Sequence, residues 1–167
     1  MRCTDRSEDF GELSQVHLKL YSSEAPSPWS GPDRPAHVVK GPLPLTDPTV
    51  QAVLASAPPD ELDESGLSSS DSGIYVALDP DGRAMSASGY RRWPCDVAHV
   101  GVLTRPSARG QHYARSAAGF VLARAADYGL LAQWRAAKSN PGSIALARSL
   151  GLAELGWQVS FNPAIPD

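Results

Sequence analysis

The sequence has little cysteine, no long apolar run and no large excess of either charge. Its two cysteines, Cys3 and Cys95, lie far apart without the spacing of metal ligands, so we expect two free thiols in a reducing compartment and no metal site. No run approaches the roughly 20 apolar residues of a membrane-spanning helix. The first residues, MRCTDRSEDF, lack the apolar stretch of a signal peptide. These absences predict a cytoplasmic protein without a membrane partner.

The charge balance argues against a nucleic-acid-binding function. A formal net charge of −3 gives no field that would gather nucleic acid or anionic lipid. We therefore expect no nucleic-acid partner, and any site for an anion must be local. A length of 167 residues with 42% hydrophobic residues is sufficient for one domain with a sizeable core.

The composition divides this domain into two parts. Residues 1–72 are rich in Pro, Ser, Asp and Glu, which is typical of loops. Only VHLKLY, HVV and a possible helix at DPTVQAVLAS interrupt this part. Residues 73–167 show clearer periodic patterns and are predicted to form the core. The loop-rich part is expected to belong to the same domain.

The second part alternates strands and helices. GIYVAL and RAMSASGYRRW flank DPDG, which predicts a β-hairpin, and DVAHVGVLT predicts a third strand that Pro106 ends. Apolar residues at helical spacing predict a long helix from Arg109 to Tyr128. LLAQWRAA and AELGWQVSF predict two more strands, and NPGSIALARSLG predicts a helix with Asn140 as its N-cap. This order predicts a mixed α/β (α+β) sheet.

The start of the long helix is a candidate anion site. The chain leaves a strand at Pro106 and enters the helix near Arg109, so free N–H groups and the positive end of the helix dipole point at one spot. Gly110 permits close approach of a phosphate, and Arg105, Arg109 and Arg115 add positive charge. The alternative is an ordinary helix start with solvated arginines.

The same segment carries a family resemblance. Residues 109–114, RGQHYA, preceded by VGVLTRPSA, resemble the Arg/Gln-x-x-Gly-x-Gly/Ala signature of the Gcn5-related N-acetyltransferase (GNAT) superfamily. NPGSIALARSLGLAELGW resembles the Asn-x-x-Ser/Ala helix, the Leu-Gly-Phe ending and the next strand of that family. The resemblance covers residues 73–161. It implies a mixed, largely antiparallel sheet with a splayed parallel strand pair, here 97–104 and 130–137, and helices on both faces.

The resemblance implies an acyltransferase that moves an acetyl group from acetyl-CoA to a primary amine by direct attack in a ternary complex. The strand after the hairpin would hold the pantetheine arm, the helix start would hold the pyrophosphate, and two residues of the last helix match positions that often touch the cofactor. For Asn140, helix capping alone is an equal alternative. The residues that this carry-over assigns to the cofactor are Val102, Leu103, Thr104, Arg109, Gly110, Gln111, His112, Tyr113, Ala114, Arg115, Asn140 and Ser143.

The sequence departs from the family pattern at the positions that matter for catalysis. His112 stands where the family has its central glycine. Ala147 stands where many relatives have a tyrosine that acts as the acid and protonates the departing thiolate. The strand 97–104 carries no carboxylate. Tyr90 as acid and His99 as base are the nearest candidates by sequence, each with an ordinary packing role as the alternative.

Two further features concern partners. The resemblance implies that residues 1–72, before the hairpin, supply acceptor-side elements of the site. The carboxylates of this part, Asp60, Glu61, Asp63 and Glu64, could attract a cationic amine or form a solvated loop. The chain ends near Asp167, where many relatives continue into one more strand, so we expect an open sheet edge or a homodimer. The weak catalytic candidates leave one alternative of another class, a non-catalytic acyl-CoA-binding sensor or interaction module.

Overall fold

The structure is a computed structural model that describes the backbone of residues 13–21 and 37–161, and the side chains of residues 37–157. Within these ranges the chain forms seven strands and four α-helices. The strands are β1 (Leu13–Tyr21), β2 (Val38–Leu43), β3 (Ile74–Leu78), β4 (Ala84–Trp93), β5 (Val97–Thr104), β6 (Leu131–Ala137) and β7 (Ala153–Phe161). The helices are α1 (Pro48–Leu54), α2 (Pro59–Ser65), α3 (Tyr113–Asp127) and α4 (Pro141–Ser149). None of the described helices is long and apolar enough to cross a membrane.

All seven strands belong to one sheet, in the order β2-β3-β4-β5-β6-β1-β7. Every pair of neighbours is antiparallel except β5 and β6, which run parallel. This confirms the predicted fold class, a mixed and largely antiparallel sheet with one parallel pair. The hairpin β3–β4 and the third strand β5 lie where the sequence predicted them.

Both faces of the sheet are buried, because successive side chains of a strand point to opposite faces. Tyr75 and Val100 belong to a core that includes Val121 of α3. Val76 and Leu103, from the same two strands, belong to a second core with α1. The helices therefore cover the two faces, as predicted, with α3 on one and α1 on the other.

Helix ends follow local capping chemistry where the sequence provides it. The Asp47 carboxylate accepts a hydrogen bond from the Thr49 N–H (2.8 Å) at the start of α1. The Asn140 side-chain oxygen accepts from the Ser143 N–H (3.0 Å) at the start of α4, with Pro141 in the first turn. Both patterns satisfy N–H groups that a helix leaves free at its first turn.

The structure corrects two of the sequence interpretations. The long helix begins at Tyr113 and not at Arg109, because Pro106–Ala108 forms a 3₁₀ turn and Gly110 and His112 have φ angles of +74° and +66°, which no right-handed helix contains. α2 lies in the stretch that we interpreted as loop. Proline in its first turn, followed by Asp60 and Glu61, is a typical helix start that the composition of the region concealed.

β1 occupies a position that the sequence did not predict. It lies between β6 and β7, and His17 pairs with Ala137 on one side and Gln158 on the other. β7 therefore forms one edge of the sheet within the described part of the chain. The homodimer remains a prediction.

One close contact fixes α2 on the sheet. A Cβ added at Gly101 of β5 would lie 2.0 Å from the carbonyl oxygen of Ser65, the last residue of α2. We expect Gly101→Ala to lower the free energy of unfolding by about 1–3 kcal/mol, because α2 must move to make room. Gly142→Ala is the matched control, because the nearest atom to its Cβ is the Asn140 Oδ1 at 3.8 Å and alanine favours the helix. Equal urea midpoints for the two variants would contradict the contact.

Candidate active site

The candidate site is a cleft at the point where β5 and β6 separate. The two strands pair from Val97–Leu131 to Val100–Trp134, and no pairing between them is described beyond that rung. β5 continues to Thr104 and β6 to Ala137, so the strands diverge over their last residues. A cleft of about 550 Å³ opens there, lined by residues from both faces of the sheet. It therefore connects the α3 and α4 side of the sheet with the α2 side.

Ten of the twelve residues predicted to touch the cofactor line this cleft. They are Val102, Leu103, Thr104, Arg109, Gly110, His112, Tyr113, Ala114, Asn140 and Ser143. Gln111 and Arg115 do not line it. Arg115 is half-buried elsewhere on α3, and Arg105 instead donates from its Nε to the Ala84 carbonyl oxygen (2.6 Å). The fold thus brings the predicted cofactor residues together in one cleft, except for Gln111 and Arg115.

The start of α3 faces the cleft without a side-chain cap. His112 is the N-cap residue, and its side chain makes no capping hydrogen bond. The N–H groups of the first turn therefore lack an intrahelical or capping partner, and the cleft is lined by Tyr113 and Ala114 from this turn. Nothing lies within 4 Å of a Cβ built on Gly110, so the loop before the helix leaves open space beside these groups. Such an arrangement suits an anion.

His112 departs from the family pattern in side chain but keeps a backbone conformation typical of glycine. Its φ of +66° lies in the left-handed region, which glycine adopts at little cost and histidine adopts uncommonly. The side chain is exposed and lines the cleft. The substitution therefore adds an imidazole to the cleft without requiring another conformation of the loop.

His37 holds the loop in position, and no sequence pattern indicated it. Its Nε2 donates to the Gln111 carbonyl oxygen (2.8 Å), and its ring stacks on Tyr113 with centroids 3.8 Å apart. The Gln111 side chain donates in turn to the Ser107 carbonyl oxygen (3.0 Å). Gln111 thus shapes the loop rather than the cleft, and the contact with His37 joins the loop to the start of β2, 74 residues earlier.

The start of α4 holds the opposite wall. Trp134, only 2% exposed, donates from its Nε1 to the Ser143 Oγ (3.0 Å). Asn140 caps α4, since its Oδ1 accepts from the Ser143 N–H. Both polar residues line the cleft while part of their hydrogen-bonding capacity serves the wall itself.

The α2 side of the cleft carries two carboxylates, Glu61 and Glu64, together with the guanidinium groups of Arg109 and Arg135. Glu61 forms an ion pair with Arg109, and the Glu64 carboxylate accepts from the Ala137 N–H at 3.4 Å and from Asn140 Nδ2 at 3.5 Å. Both glutamates line the cleft, whereas Asp60 and Asp63 do not. Half of the acidic cluster in the sequence therefore belongs to the site.

His99 lines the same side of the cleft, on the face of β5 opposite Val100, as the alternation of the strand predicted. Burial first, and then the positive charges of Arg135 and Arg91, lower the pKa of His99 to about 4, although a hydrogen bond with the Gln133 side chain opposes the shift. Its ring stacks on Trp93 with centroids 4.7 Å apart. Its Nδ1 is buried and has no hydrogen-bond partner among the described residues. His99 is therefore neutral at pH 7.

Tyr90 lies outside the cleft. It is 4% exposed and packs in the core with Val100 and the α3 side chains. Its predicted role as an acid is not supported by this position. Cys95 is exposed and free, and no three His, Cys, Asp or Glu side chains gather as metal ligands in the part of the chain that the structure describes.

The comparisons with known proteins identify the family. The chain belongs to the acetyltransferase (GNAT) family, whose profile matches residues 44–152. The match begins 29 residues before the stretch that the sequence resemblance covered, and it includes α1 and α2. Members of this family are acetyltransferases that generally use acetyl-CoA as the acyl donor.

Solved structures show the same fold. A GNAT-family protein from Novosphingobium aromaticivorans is 24% identical with a TM-score of 0.66, covering 88% of this chain and 63% of its own. An acetyltransferase from the GNAT family of Colwellia psychrerythraea is 15% identical with a TM-score of 0.62, covering 92% and 58%. A GCN5-related N-acetyltransferase from Sphaerobacter thermophilus is 14% identical with a TM-score of 0.63, covering 92% and 54%. The chain thus spans less than two thirds of each of these structures, and no curated protein matches it.

The lowered pKa of His99 predicts a pH dependence of stability. The folded-state pKa of about 4 lies below the ordinary value of 6.5, so folding favours the neutral ring. The contribution of His99 to the free energy of unfolding is therefore at its maximum above pH 6.5 and is lost as the pH falls towards 4. The free energy of unfolding should fall by at most about 1.4 kcal/mol per pH unit from this cause. His99→Phe keeps a ring on Trp93 but cannot titrate. Urea unfolding between pH 7 and pH 4.5 should show a smaller loss for this variant than for the parent, and parallel losses would contradict the burial of His99.

Proposed function

We propose that the protein transfers an acetyl group from acetyl-CoA to a primary amine by direct attack in a ternary complex. One observation carries this proposal, namely that a single cleft crosses the sheet where β5 and β6 separate. An uncapped helix start lies on one side of it, and carboxylates with a neutral imidazole lie on the other. A donor and an acceptor can therefore approach the same point from opposite faces.

The donor side fits a diphosphate. The free N–H groups at the start of α3 and the positive end of its dipole favour an anion. Arg109 lines the cleft beside them and supplies a guanidinium, which matches phosphate oxygens bidentately. The open space at Gly110 admits a bulky group close to the backbone. These features together suit the pyrophosphate of CoA.

The edge of β5 fits the pantetheine arm. Beyond Val100 the backbone groups of β5 that point towards β6 have no strand partner in the described part of the sheet. Val102, Leu103 and Thr104 lie in this stretch and line the cleft. An extended arm that carries two amides can pair with such groups as an added strand would. One of these N–H groups would also polarise a carbonyl oxygen, as in other acyl transfers.

When bound, acetyl-CoA supplies an acetyl group activated as a thioester. The amine nitrogen forms a bond to the acetyl carbon, the carbon–sulfur bond breaks, and its electron pair leaves with the sulfur. The nitrogen loses two protons in this exchange: one before the attack, because an alkyl ammonium, with a pKa near about 10, has no lone pair, and one after the new bond has formed. The departing thiolate can take one of these protons, and the other must pass to a side chain or to water on the acceptor side of the cleft.

His99 is our candidate for that base. It pairs in register with Gln133, one rung before the strands separate, so it lies beside the point where the two faces meet. Because its pKa is about 4, the ring is neutral at pH 7 with a free lone pair, but it is a weak base, so it can only pass a proton on and not hold it. No acid is assigned, since a thiol pKa near about 8.5 makes the thiolate a fair leaving group without one.

The acceptor is proposed to be cationic before it reacts. Glu61 and Glu64 line the α2 side of the cleft, and carboxylates there raise the local concentration of ammonium groups. The two side chains also tie α2 to the loop of Arg109 and to the end of β6. These two contacts hold α2, on the proposed acceptor side, against the loop before α3 and against the end of β6.

A pair of variants at Gly110 tests the donor site. Gly110→Asp adds a negative charge at the proposed diphosphate position, whereas Gly110→Asn adds a side chain of the same size without charge. Asp and Asn both tolerate the φ of +74° better than most residues. We expect acetyl-CoA at a hundred times its Kd to stabilise the parent by about 2.7 kcal/mol. The aspartate variant should bind at least about tenfold more weakly than the asparagine variant.

Calorimetric titration and thermal unfolding measure both effects. If the parent shows no thermal shift with acetyl-CoA, the donor assignment fails. If it binds and the two variants bind equally well, the diphosphate lies elsewhere in the protein.

A second pair of variants tests the base. His99→Gln should lower kcat about a hundredfold or more while acetyl-CoA affinity is retained, since general base catalysis contributes typically 10²–10⁴-fold. Tyr90→Phe removes a hydroxyl outside the cleft and should leave kcat within about twofold of the parent. Steady-state rates against a panel of primary amines provide the measurement. A selective loss in the tyrosine variant would instead assign the proton transfer to Tyr90.

A further inference from the structure

Arg109, which we propose binds the diphosphate, already forms an ion pair with a carboxylate in the structure. The guanidinium of Arg109 donates to the Glu61 carboxylate, and both side chains line the same cleft. The two residues are 48 positions apart in the sequence, so this ion pair joins α2 to the loop before α3. Both side chains remain accessible, with 50% of Arg109 and 34% of Glu61 exposed.

We propose that Glu61 is a counter-ion that the diphosphate of the acyl donor displaces from Arg109. This inference rests on the proposed function, because it takes the donor to bind at the start of α3. A diphosphate carries more negative charge than one carboxylate, and the nearby N–H groups of α3 favour it further. A carboxylate left beside the diphosphate would be repelled by it. Glu61 therefore gives up Arg109 when the donor binds.

Glu61 stays near the cleft after this exchange, because α2 itself is fixed. Its last residue, Ser65, packs directly on Gly101 of β5, where no Cβ would fit. Glu64, on the same helix, keeps its own contacts with the Ala137 N–H and with Asn140. The exchange thus needs only a movement of the Glu61 side chain and no displacement of the helix.

The exchange lowers the affinity for the donor, since binding has to break an ion pair that exists without it. Exposed pairs of this kind are weak, so the effect should be modest. We expect Glu61→Gln, which keeps the shape of the side chain and removes its charge, to bind acetyl-CoA about two- to fivefold more tightly than the parent. The gain should shrink as the salt concentration rises.

The experiment compares three proteins and two probes by calorimetric titration, after circular dichroism has checked their folding. Asp63→Asn is the matched control, because it removes the same charge from the same helix but lies outside the cleft and does not touch Arg109. Acetyl-pantetheine is the matched probe, because it carries the thioester arm without the diphosphate. Only acetyl-CoA with Glu61→Gln should show the gain. The gain should also disappear when Arg109→Gln is introduced into both the parent and the Glu61→Gln variant.

Each other outcome overturns the proposal. Unchanged or weaker binding of acetyl-CoA to Glu61→Gln would mean that Glu61 does not compete for Arg109. An equal gain in Asp63→Asn would indicate a general effect of charge, and an equal gain with acetyl-pantetheine would indicate an effect on the arm. If the parent itself does not bind acetyl-CoA, both the proposed function and the role of Glu61 are wrong. If the parent binds acetyl-CoA but Glu61→Gln shows no gain, only the role of Glu61 is wrong.

Discussion

The separation of β5 from β6 after the Val100–Trp134 rung is the constraint on which the site depends. A gap inside a sheet leaves backbone groups unpaired, and such groups are costly when buried. The cost is limited here because each strand keeps its other neighbour, β4 beside β5 and β1 beside β6. Trp134 fills the end of the gap, and its N–H is satisfied by Ser143. The wall of the cleft is therefore stable without a ligand.

The two sides of the cleft are positioned by different kinds of contact. The donor side rests on a long helix whose buried face joins the main core. The acceptor side rests on a helix of seven residues, none of them buried, that approaches the sheet at Gly101. Its glutamates tie it to both walls. Changes in α2 should consequently alter acceptor preference more readily than they alter the core.

Local signals made most of the fold predictable from the sequence. Alternating residues and a DPDG turn defined the hairpin, and Asn140 with Pro141 defined the start of α4. The true start of α3 was missed because Gly110 and His112 adopt left-handed angles that spacing alone does not reveal. The role of His37 and the ion pair between Glu61 and Arg109 could not be predicted, since the partners lie 74 and 48 residues apart. The sequence thus predicted most of the residues that line the cleft, but not the long-range contacts that hold α2 and the loop before α3 in place.

The place of β1 in the sheet has a consequence for how the protein folds. β6 gains its second neighbour from a segment more than 100 residues earlier in the chain, as the His17–Ala137 pair shows. Closing so long a loop costs conformational entropy that neighbouring hairpins do not have to overcome. The hairpin and the α3 core can form first, and the outer support of β6 is then expected to be added late. During synthesis, the wall that bears Trp134 would accordingly gain its full support only after β6 has emerged to meet β1.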